Sequence, residues 1–182
     1  MIMSVNRPAE PWLSFLTQLD AQLTEPADFH CMGGFVVSQC YGFTRETRDI
    51  DVLTVIPVQV VDRVIKLAGK HSALHTRYGV YVHRFAIVNY PADYEQRLTR
   101  VFPVWPNVRL WALEPHDLAL TKLERSDDVD VRDVIYLAQA GLINRETLIN
   151  RFETEWDPYV VGRTPTWHQT TLSVWIESCW PE

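Results

Sequence analysis

The sequence predicts an α+β protein, in which a small sheet flanked by helices precedes a C-terminal helical part. Strand-like and helix-like segments alternate as far as Glu114, and only helical patterns follow. The chain has 182 residues, 47% of them hydrophobic, which suits one domain or one domain with a helical extension. We therefore expect a core over residues 1–114 and a helical part over residues 115–182, packed together as one unit.

The first elements are predicted from apolar spacing and from proline and glycine. A helix over Glu10–Thr24 is expected from an apolar stripe, and Pro26 ends it. The stripe consists of Trp12, Phe15, Leu16, Leu19 and Leu23. A short extended run, Phe29–Met32, then stops at the pair Gly33–Gly34. We expect a helix to begin at these glycines, although the apolar run after them also suits a strand.

The middle of the chain mixes strands and helices. Strand formers predict strands over Asp49–Pro57, Val80–Val88 and Val108–Glu114. Helical spacing predicts a helix over Val58–Gly79 and a short helix over residues 92–101.

The last third is predicted to be helical throughout. Pro115 suits the first turn of a helix over residues 115–126. Two further helices are expected over residues 128–142 and 144–156. Thr164 and Pro165 suit the cap and first position of a final helix that ends near Cys179.

Composition excludes several classes of protein. The net charge of −6 argues against a general nucleic-acid coat protein. The three cysteines lack CxxC spacing, so neither a disulfide framework nor a zinc site is expected. Without a signal-peptide pattern or a long apolar window, we expect a cytoplasmic protein with no membrane partner. A cluster of basic residues between Arg63 and Arg84 suits a solvated helix face or a local basic patch beside an acidic site.

Two aspartates in the predicted second strand are the first candidate for chemistry. Side chains two apart on a strand share a face, so Asp49 and Asp51 would converge while Ile50 enters the core. Converging carboxylates repel unless a cation lies between them, and oxygen ligands suit Mg²⁺ or Mn²⁺. The alternative is an exposed strand end with two unconnected acids.

The pair Gly33–Gly34 is the second candidate. Without Cβ atoms, backbone at a strand end can approach a phosphate, and a helix that starts there offers unpaired N–H groups. The alternative is a plain tight turn.

The combination of these two features resembles a known family. The string "GGFVVSQCYGFTRETRDIDVL" resembles the polymerase β-like nucleotidyltransferase superfamily, and is similar to a bacterial branch akin to AbiEii-type toxin nucleotidyltransferases. Arg45 and Thr47 form the R-x-T segment ahead of the aspartates. A second motif, "LEPHDLALTKLERSDDVDVRDVIYL", resembles the helical part of that branch at Asp117, Leu118, Lys122, Leu123, Asp130, Asp133 and Leu137.

The resemblance implies a small mixed sheet and a Mg²⁺-dependent (or Mn²⁺-dependent) transfer of a nucleoside monophosphate from an NTP to an acceptor hydroxyl. Asp49 and Asp51 would hold the metal, and Gly33 and Gly34 would cradle the triphosphate. Lys122 is the third implied catalytic residue, and Arg45, Arg48 and Lys122 would neutralise the charge of the triphosphate. Thr47, Asp130 and Asp133 would complete the nucleotide site. RNA or tRNA is the implied acceptor, and a cognate antitoxin protein the implied partner.

One departure from the superfamily keeps other functions open. Catalytic members generally add a third carboxylate from a later strand, where this chain offers His83 and Asn89. The alternative is a degenerate member that binds a nucleotide or a partner protein without catalysis. A third possibility is an antitoxin-like interaction protein.

Overall fold

The computed structural model describes residues 7–85, 88–156 and 163–181. Its contacts divide the chain into two compact units. The first comprises the described parts of Met1–Phe85 and Leu98–Leu113, and the second those of Ala86–Arg97 and Glu114–Glu182. The second unit thus holds the C-terminal helices together with a short segment from the middle of the chain.

The first unit is built around a five-stranded mixed sheet, as predicted. Its strands are β1 (Ala27–Met32), β2 (Asp49–Ile56), β3 (Tyr81–Arg84), β4 (Thr99–Val101) and β5 (Val108–Ala112), in the order β3-β2-β1-β5-β4. Strands β2 and β3 run parallel, as do β1 and β5, whereas β1/β2 and β4/β5 are antiparallel. Strand β2 therefore lies between β1 and β3, and both neighbours contribute residues to the candidate site.

Helix α1 (Trp12–Gln22) confirms the predicted apolar stripe. All five residues of the stripe are buried, four on the helix and the last at its C-cap: Trp12, Phe15, Leu16, Leu19 and Leu23. The ring of Trp12 lies edge-on to Phe35 with centroids 5.0 Å apart, and so joins α1 to the segment after the glycine pair. Burial of this stripe supplies the apolar contact that orients the helix.

The predicted strand–Gly–Gly–helix order is also confirmed. Helix α2 (Gly33–Phe35) follows β1 directly and continues as a π-helical turn, Val36–Cys40. Phe35, Val36 and Val37 are fully buried, so the apolar run packs into the core as a helix and not as a further strand.

The predicted helix over Val58–Gly79 is instead two helices. A 3₁₀ turn, Val58–Val60, leads into α3 (Val61–Ala68), and α4 (Ala73–Tyr78) follows. The break lies at Gly69, where a Cβ would overlap the carbonyl oxygen of Ile65. Ser72 then caps the new helix, since its hydroxyl accepts the N–H of His75 at 3.1 Å.

The short helix predicted over residues 92–101 is largely wrong. Only Tyr94–Arg97 is helical, as a 3₁₀ turn, and Thr99–Val101 forms strand β4. Strand β4 pairs antiparallel with β5, Val101 opposite Leu110. Three residues carry too little periodicity to reveal a strand, and it is the edge of β5 that stabilises this one.

The second unit is helical, as predicted. It contains α5 (Pro115–Leu120), α6 (Asp128–Gln139), α7 (Arg145–Glu155) and α8 (Pro165–Cys179). The side chains of Glu114, Asp127, Asn144 and Thr164 cap these four helices in turn. Trp175 of α8 is buried, and its Nε1 donates to Ser126 Oγ at 3.2 Å.

None of the helices in the described ranges has the length and apolar character that crossing a membrane requires.

Candidate functional site

Strand β2 carries Asp49 and Asp51 on one face, as the two-residue period predicts. Ile50 and Val52, which alternate with them, are fully buried, while both aspartates are only partly buried. The apolar pair anchors the strand in the core. The two carboxylates are thereby presented together from a rigid element.

The parallel neighbour β3 places a polar residue opposite each aspartate. Tyr81 pairs with Asp49 and His83 with Asp51, and the buried Val82 lies between them opposite Ile50. The Tyr81 hydroxyl donates to Asp49 Oδ2 at 3.3 Å. The Nδ1 atom of His83 lies 3.1 Å from Asp51 Oδ1.

Asp49 is held by two hydroxyl groups. Thr47 donates to Asp49 Oδ1 at 3.2 Å, and Tyr81 approaches the other carboxylate oxygen. Burial raises the pKa of Tyr81, and the charge of Asp49 and the hydrogen bond to it raise the pKa further. The phenol therefore remains protonated at neutral pH and remains a donor to Asp49.

The donor atoms of Asp49, Asp51 and His83 form a group that could hold a metal ion. One donor atom from each residue lies within 4.8 Å of the others. Asp51 is 15% exposed and His83 46%, so the group is open to solvent on the imidazole side. Two carboxylates and one imidazole are chemically suited to a divalent cation.

The glycine pair lies directly against this group. Gly33 has φ +69°, in the left-handed region, and a Cβ there would overlap Oδ2 of Asp51. The pairing of Met32 with Asp51 brings the end of β1 to this position. Gly33 is therefore required both by its backbone angle and by the closeness of the carboxylate.

Gly34 makes an equally close approach to Arg45. A Cβ at Gly34 would overlap Nη2 of that guanidinium. Arg45 lines two clefts, of about 550 Å³ and about 420 Å³, and Thr47 and Arg48 also line the smaller one. Arg48 is exposed, and its carbonyl accepts the N–H of Tyr81 at 3.0 Å. The first unit thus contains the glycines, both aspartates, Arg45, Thr47 and Arg48, with direct approaches of Gly33 to Asp51, Gly34 to Arg45 and Thr47 to Asp49.

The remaining predicted residues belong to the second unit, where they form a buried ion cluster. Lys122 is 5% exposed, and its Nζ donates to Asp130 Oδ1 at 3.0 Å and to Asp133 Oδ2 at 2.8 Å. Burial raises the pKa of Asp130, but Arg125 and Lys122 outweigh it and lower the pKa overall. The ammonium group of Lys122 thus lies between the two aspartates, and these contacts join α6 to the turn after α5.

Sequence reasoning missed Tyr81 and did not assign His83 a place in the site. The signal was present, because Tyr-x-His at residues 81–83 has the same two-residue spacing as Asp-x-Asp at residues 49–51. The parallel pairing of β2 with β3 aligns the two motifs. The other residue considered for a third ligand, Asn89, belongs to the second unit.

Comparison with known families identifies one match. The family described as "Nucleotidyltransferase of unknown function (DUF6036)" matches residues 14–174, which is most of the 182-residue chain. No curated protein and no solved structure matches the chain significantly. The match supports the predicted nucleotidyltransferase superfamily and does not reach the finer placement beside AbiEii-type toxins. The chain, which carries the paired aspartates and glycines described above, belongs to this family of nucleotidyltransferases.

Proposed function

We propose that the first unit transfers a nucleoside monophosphate from an NTP to an acceptor hydroxyl, with a divalent cation, Mg²⁺ or Mn²⁺, held by Asp49 and Asp51. One observation carries this proposal: the backbone of Gly33 lies against Asp51 beside a second strand aspartate, in a chain of a nucleotidyltransferase family. Backbone without a Cβ beside a carboxylate pair suits a ligand that carries both phosphates and a metal.

Different residues of the first unit would bind the metal, orient its ligands and leave room for the phosphates. Asp49 and Asp51 would hold the cation, and Thr47 and Tyr81 orient Asp49 through their hydroxyls. When bound, a divalent cation neutralises the triphosphate and lowers the pKa of a coordinated hydroxyl. Gly33 would leave room for the phosphates beside Asp51.

Positive charge for the triphosphate would come from Arg45 and Arg48. Arg45 lies against Gly34 and lines both clefts, and the exposed Arg48 lines the smaller one. A planar guanidinium matches phosphate oxygens in pairs. These two side chains would therefore counter the charge that develops on the phosphates during transfer.

A role of Lys122 in nucleotide binding remains a prediction that rests on the resemblance. Its ammonium group is buried between Asp130 and Asp133, which is the contact pattern of a structural cation. Arg125 also donates to Asp130, at 2.8 and 2.9 Å. We propose that Asp130 and Asp133 first of all position Lys122 and Arg125 within the second unit.

An RNA or tRNA acceptor, a cognate antitoxin and a role in defence are extensions of the proposal that rest on the resemblance. Exposed cations of the first unit, Lys66, Lys70 and Arg77, offer a local positive surface for a nucleic acid. Arg63 is engaged elsewhere, because it donates to Thr24 and to the carbonyl of Gln22.

A second candidate function is binding of a nucleotide or a partner protein without transfer. It is favoured by the imidazole of His83, which lies beside Asp51 on a neighbouring strand, where catalytic members of the superfamily generally supply a carboxylate. A binding protein needs no fully charged metal site, so it would tolerate this replacement.

The test is incubation of the protein with each labelled NTP, Mg²⁺ or Mn²⁺, and total cellular RNA. The test variant is Asp49→Asn/Asp51→Asn, which removes both charges at constant size. Asp62→Asn on α3, an exposed acid of the same unit, is the matched control. Label transferred by the wild type and the control but not by the double variant supports the proposal. Nucleotide binding by calorimetry without transfer supports the second candidate, and absence of both contradicts the two.

A further inference from the structure

We infer that His83 is the third ligand of the metal site and that it makes the site select a first-row transition cation, such as Mn²⁺, over Mg²⁺. This inference rests on the proposed function, because it assumes that Asp49 and Asp51 hold a cation. It adds the identity of the third ligand and the class of metal, which the family match leaves open.

The position of His83 follows from the pairing of β2 with β3. The two strands run parallel, and His83 lies in register with Asp51 while Tyr81 lies in register with Asp49. Val82 between them is 2% exposed and holds β3 against the core. His83 thus extends from the same face of the sheet as the two carboxylates, and a regular strand places it there.

The distances suit one shared cation. The donor atoms of the three residues lie within 4.8 Å of one another. Two ligands on opposite sides of one cation are separated by roughly 4.2–4.4 Å, given metal–ligand bonds of about 2.1–2.2 Å. Rotamer adjustments of a few tenths of an ångström would therefore bring all three atoms onto one ion.

The accessibility of the imidazole is consistent with a ligand role. The side chain of His83 is 46% exposed, and its ring centroid lies 4.6 Å from that of Phe85. The Phe85 ring packs against the imidazole, and Nδ1 of the imidazole faces Asp51.

The chemistry of the donor atoms sets the selectivity. Mg²⁺ is a hard cation that takes oxygen ligands in near-ideal octahedra and retains much of its water. Imidazole nitrogen is a softer donor that suits Zn²⁺, Fe²⁺ and Ni²⁺. Mn²⁺ takes carboxylate oxygen as Mg²⁺ does, but it begins the same first-row series and accepts nitrogen more readily than Mg²⁺. Replacing one carboxylate by imidazole removes a negative charge that Mg²⁺ depends on and adds a nitrogen that Mn²⁺ and Co²⁺ accept. The preference of the site therefore shifts from Mg²⁺ toward these ions.

The experiment measures metal affinity directly. The purified full chain is titrated with Mn²⁺, and the unbound ion is followed by its electron paramagnetic resonance signal. Mg²⁺ is then added as a competitor, which gives the ratio of the two affinities. The wild type is compared with His83→Asp, which restores an all-carboxylate set, and with His83→Ala. Urea unfolding confirms that each variant is folded.

His71→Asn is the matched control. His71 is an exposed histidine of the same unit, and asparagine tolerates its positive φ of 70°. This variant removes an imidazole away from the carboxylates, so it corrects for nonspecific binding of Mn²⁺ to surface histidines.

The inference predicts that His83→Asp lowers the Mn²⁺-to-Mg²⁺ affinity ratio by roughly tenfold or more, and that His83→Ala weakens Mn²⁺ binding by about 10–100-fold. His71→Asn should match the wild type. An unchanged ratio in both His83 variants overturns the inference while metal binding by the aspartates stands. A wild type that binds no Mn²⁺ at millimolar concentration also overturns it. The labelled-NTP assay judges the proposed function separately, because transfer with Mg²⁺ alone would uphold that function in either case.

Discussion

Gly33 lies so close to Asp51 that a single methyl group on the glycine would overlap the carboxylate oxygen Oδ2. The end of β1 and the start of β2 therefore meet at a point where only backbone fits. The same closeness that excludes a side chain brings the N-terminal end of α2 beside the proposed metal ligand. This relationship can be separated experimentally from the conformational requirement for glycine.

Gly33→Ala should be more harmful than Gly79→Ala. Both glycines have left-handed φ angles, +69° and +73°, but a Cβ at Gly79 meets nothing within 4 Å. Gly79→Ala should cost about 1–2 kcal/mol of unfolding free energy from backbone strain alone. Gly33→Ala should cost about 1–3 kcal/mol more, from steric overlap with Asp51. Urea unfolding measures both losses, and equal losses would contradict the closeness of Gly33 to Asp51.

Removing the hydroxyls that hold Asp49 should weaken metal binding more than stability. Thr47→Val and Tyr81→Phe each delete one donor at nearly constant shape. We expect Mn²⁺ affinity to fall on the order of tenfold in each variant, and unfolding free energy to fall by about 1 kcal/mol. Thr54→Val is the control, because Thr54 lies on β2 with Asp49. Unchanged Mn²⁺ affinity in both test variants would show that these hydroxyls do not support a metal ligand.

Lys122→Met should destabilise the protein strongly. The variant leaves Asp130 and Asp133 buried without the ammonium group that neutralises them. We expect a loss of about 3–5 kcal/mol in unfolding free energy. The exposed Lys66 provides the control, and Lys66→Met should change stability by less than about 0.5 kcal/mol.

A double variant then tests the cause of that loss. Adding Asp133→Asn to Lys122→Met removes the buried negative charge that Lys122 no longer neutralises, while Asp130 keeps its hydrogen bonds from Arg125. The double variant should therefore be more stable than Lys122→Met alone. Normal stability of Lys122→Met together with lost nucleotide binding would instead favour the triphosphate contact that the resemblance implies.

Glu114 should contribute stability that is lost in acid. Burial raises the pKa of this carboxyl, but His116 and Arg151 outweigh burial and lower it from 4.5 to about 2. Between these values the unfolded chain binds the proton and the folded chain does not, so stability falls as the pH falls from about 4.5 toward 2. The shift corresponds to a contribution on the order of 3 kcal/mol near neutral pH.

Glu114→Gln measures this contribution because glutamine does not titrate. Unfolding in urea should show the variant less stable than the wild type at pH 6, with the difference shrinking as the pH approaches 3. Glu153→Gln on the exposed side of α7 is the control and should show no such trend. A difference that stays constant down to pH 3 would contradict the lowered pKa of Glu114.

Elements marked by local sequence signals were predicted correctly. The stripe of α1, the strand that carries Asp49 and Asp51, and the cap at Thr164 each depend on residues within a few positions of one another. The errors occurred where local signals were weak or conflicting. Helical spacing of apolar residues continues across Gly69, although helix α3 ends there. Strand β4 is too short to show a two-residue period.

The candidate site divides in the same way. Its aspartates and glycines could be predicted because a two-residue strand period and a glycine pair are local features of the sequence. Thr47 was expected to belong to the nucleotide site, and its hydroxyl donates a hydrogen bond to Asp49. Tyr81 was not assigned, because its two-residue spacing with His83 does not state which strand the pair will lie beside.

Sequence alone therefore establishes which residues can act together on one strand: Asp49 with Asp51, and Tyr81 with His83. Only the folded sheet decides that these two pairs meet, since their alignment comes from the parallel pairing of β2 with β3, about thirty residues apart. Strand register is set by burial of Ile50 and Val82 against the core, a contact between distant parts of the chain. For that reason the sequence could offer His83 in place of a third carboxylate, but only the folded sheet places its imidazole beside Asp51.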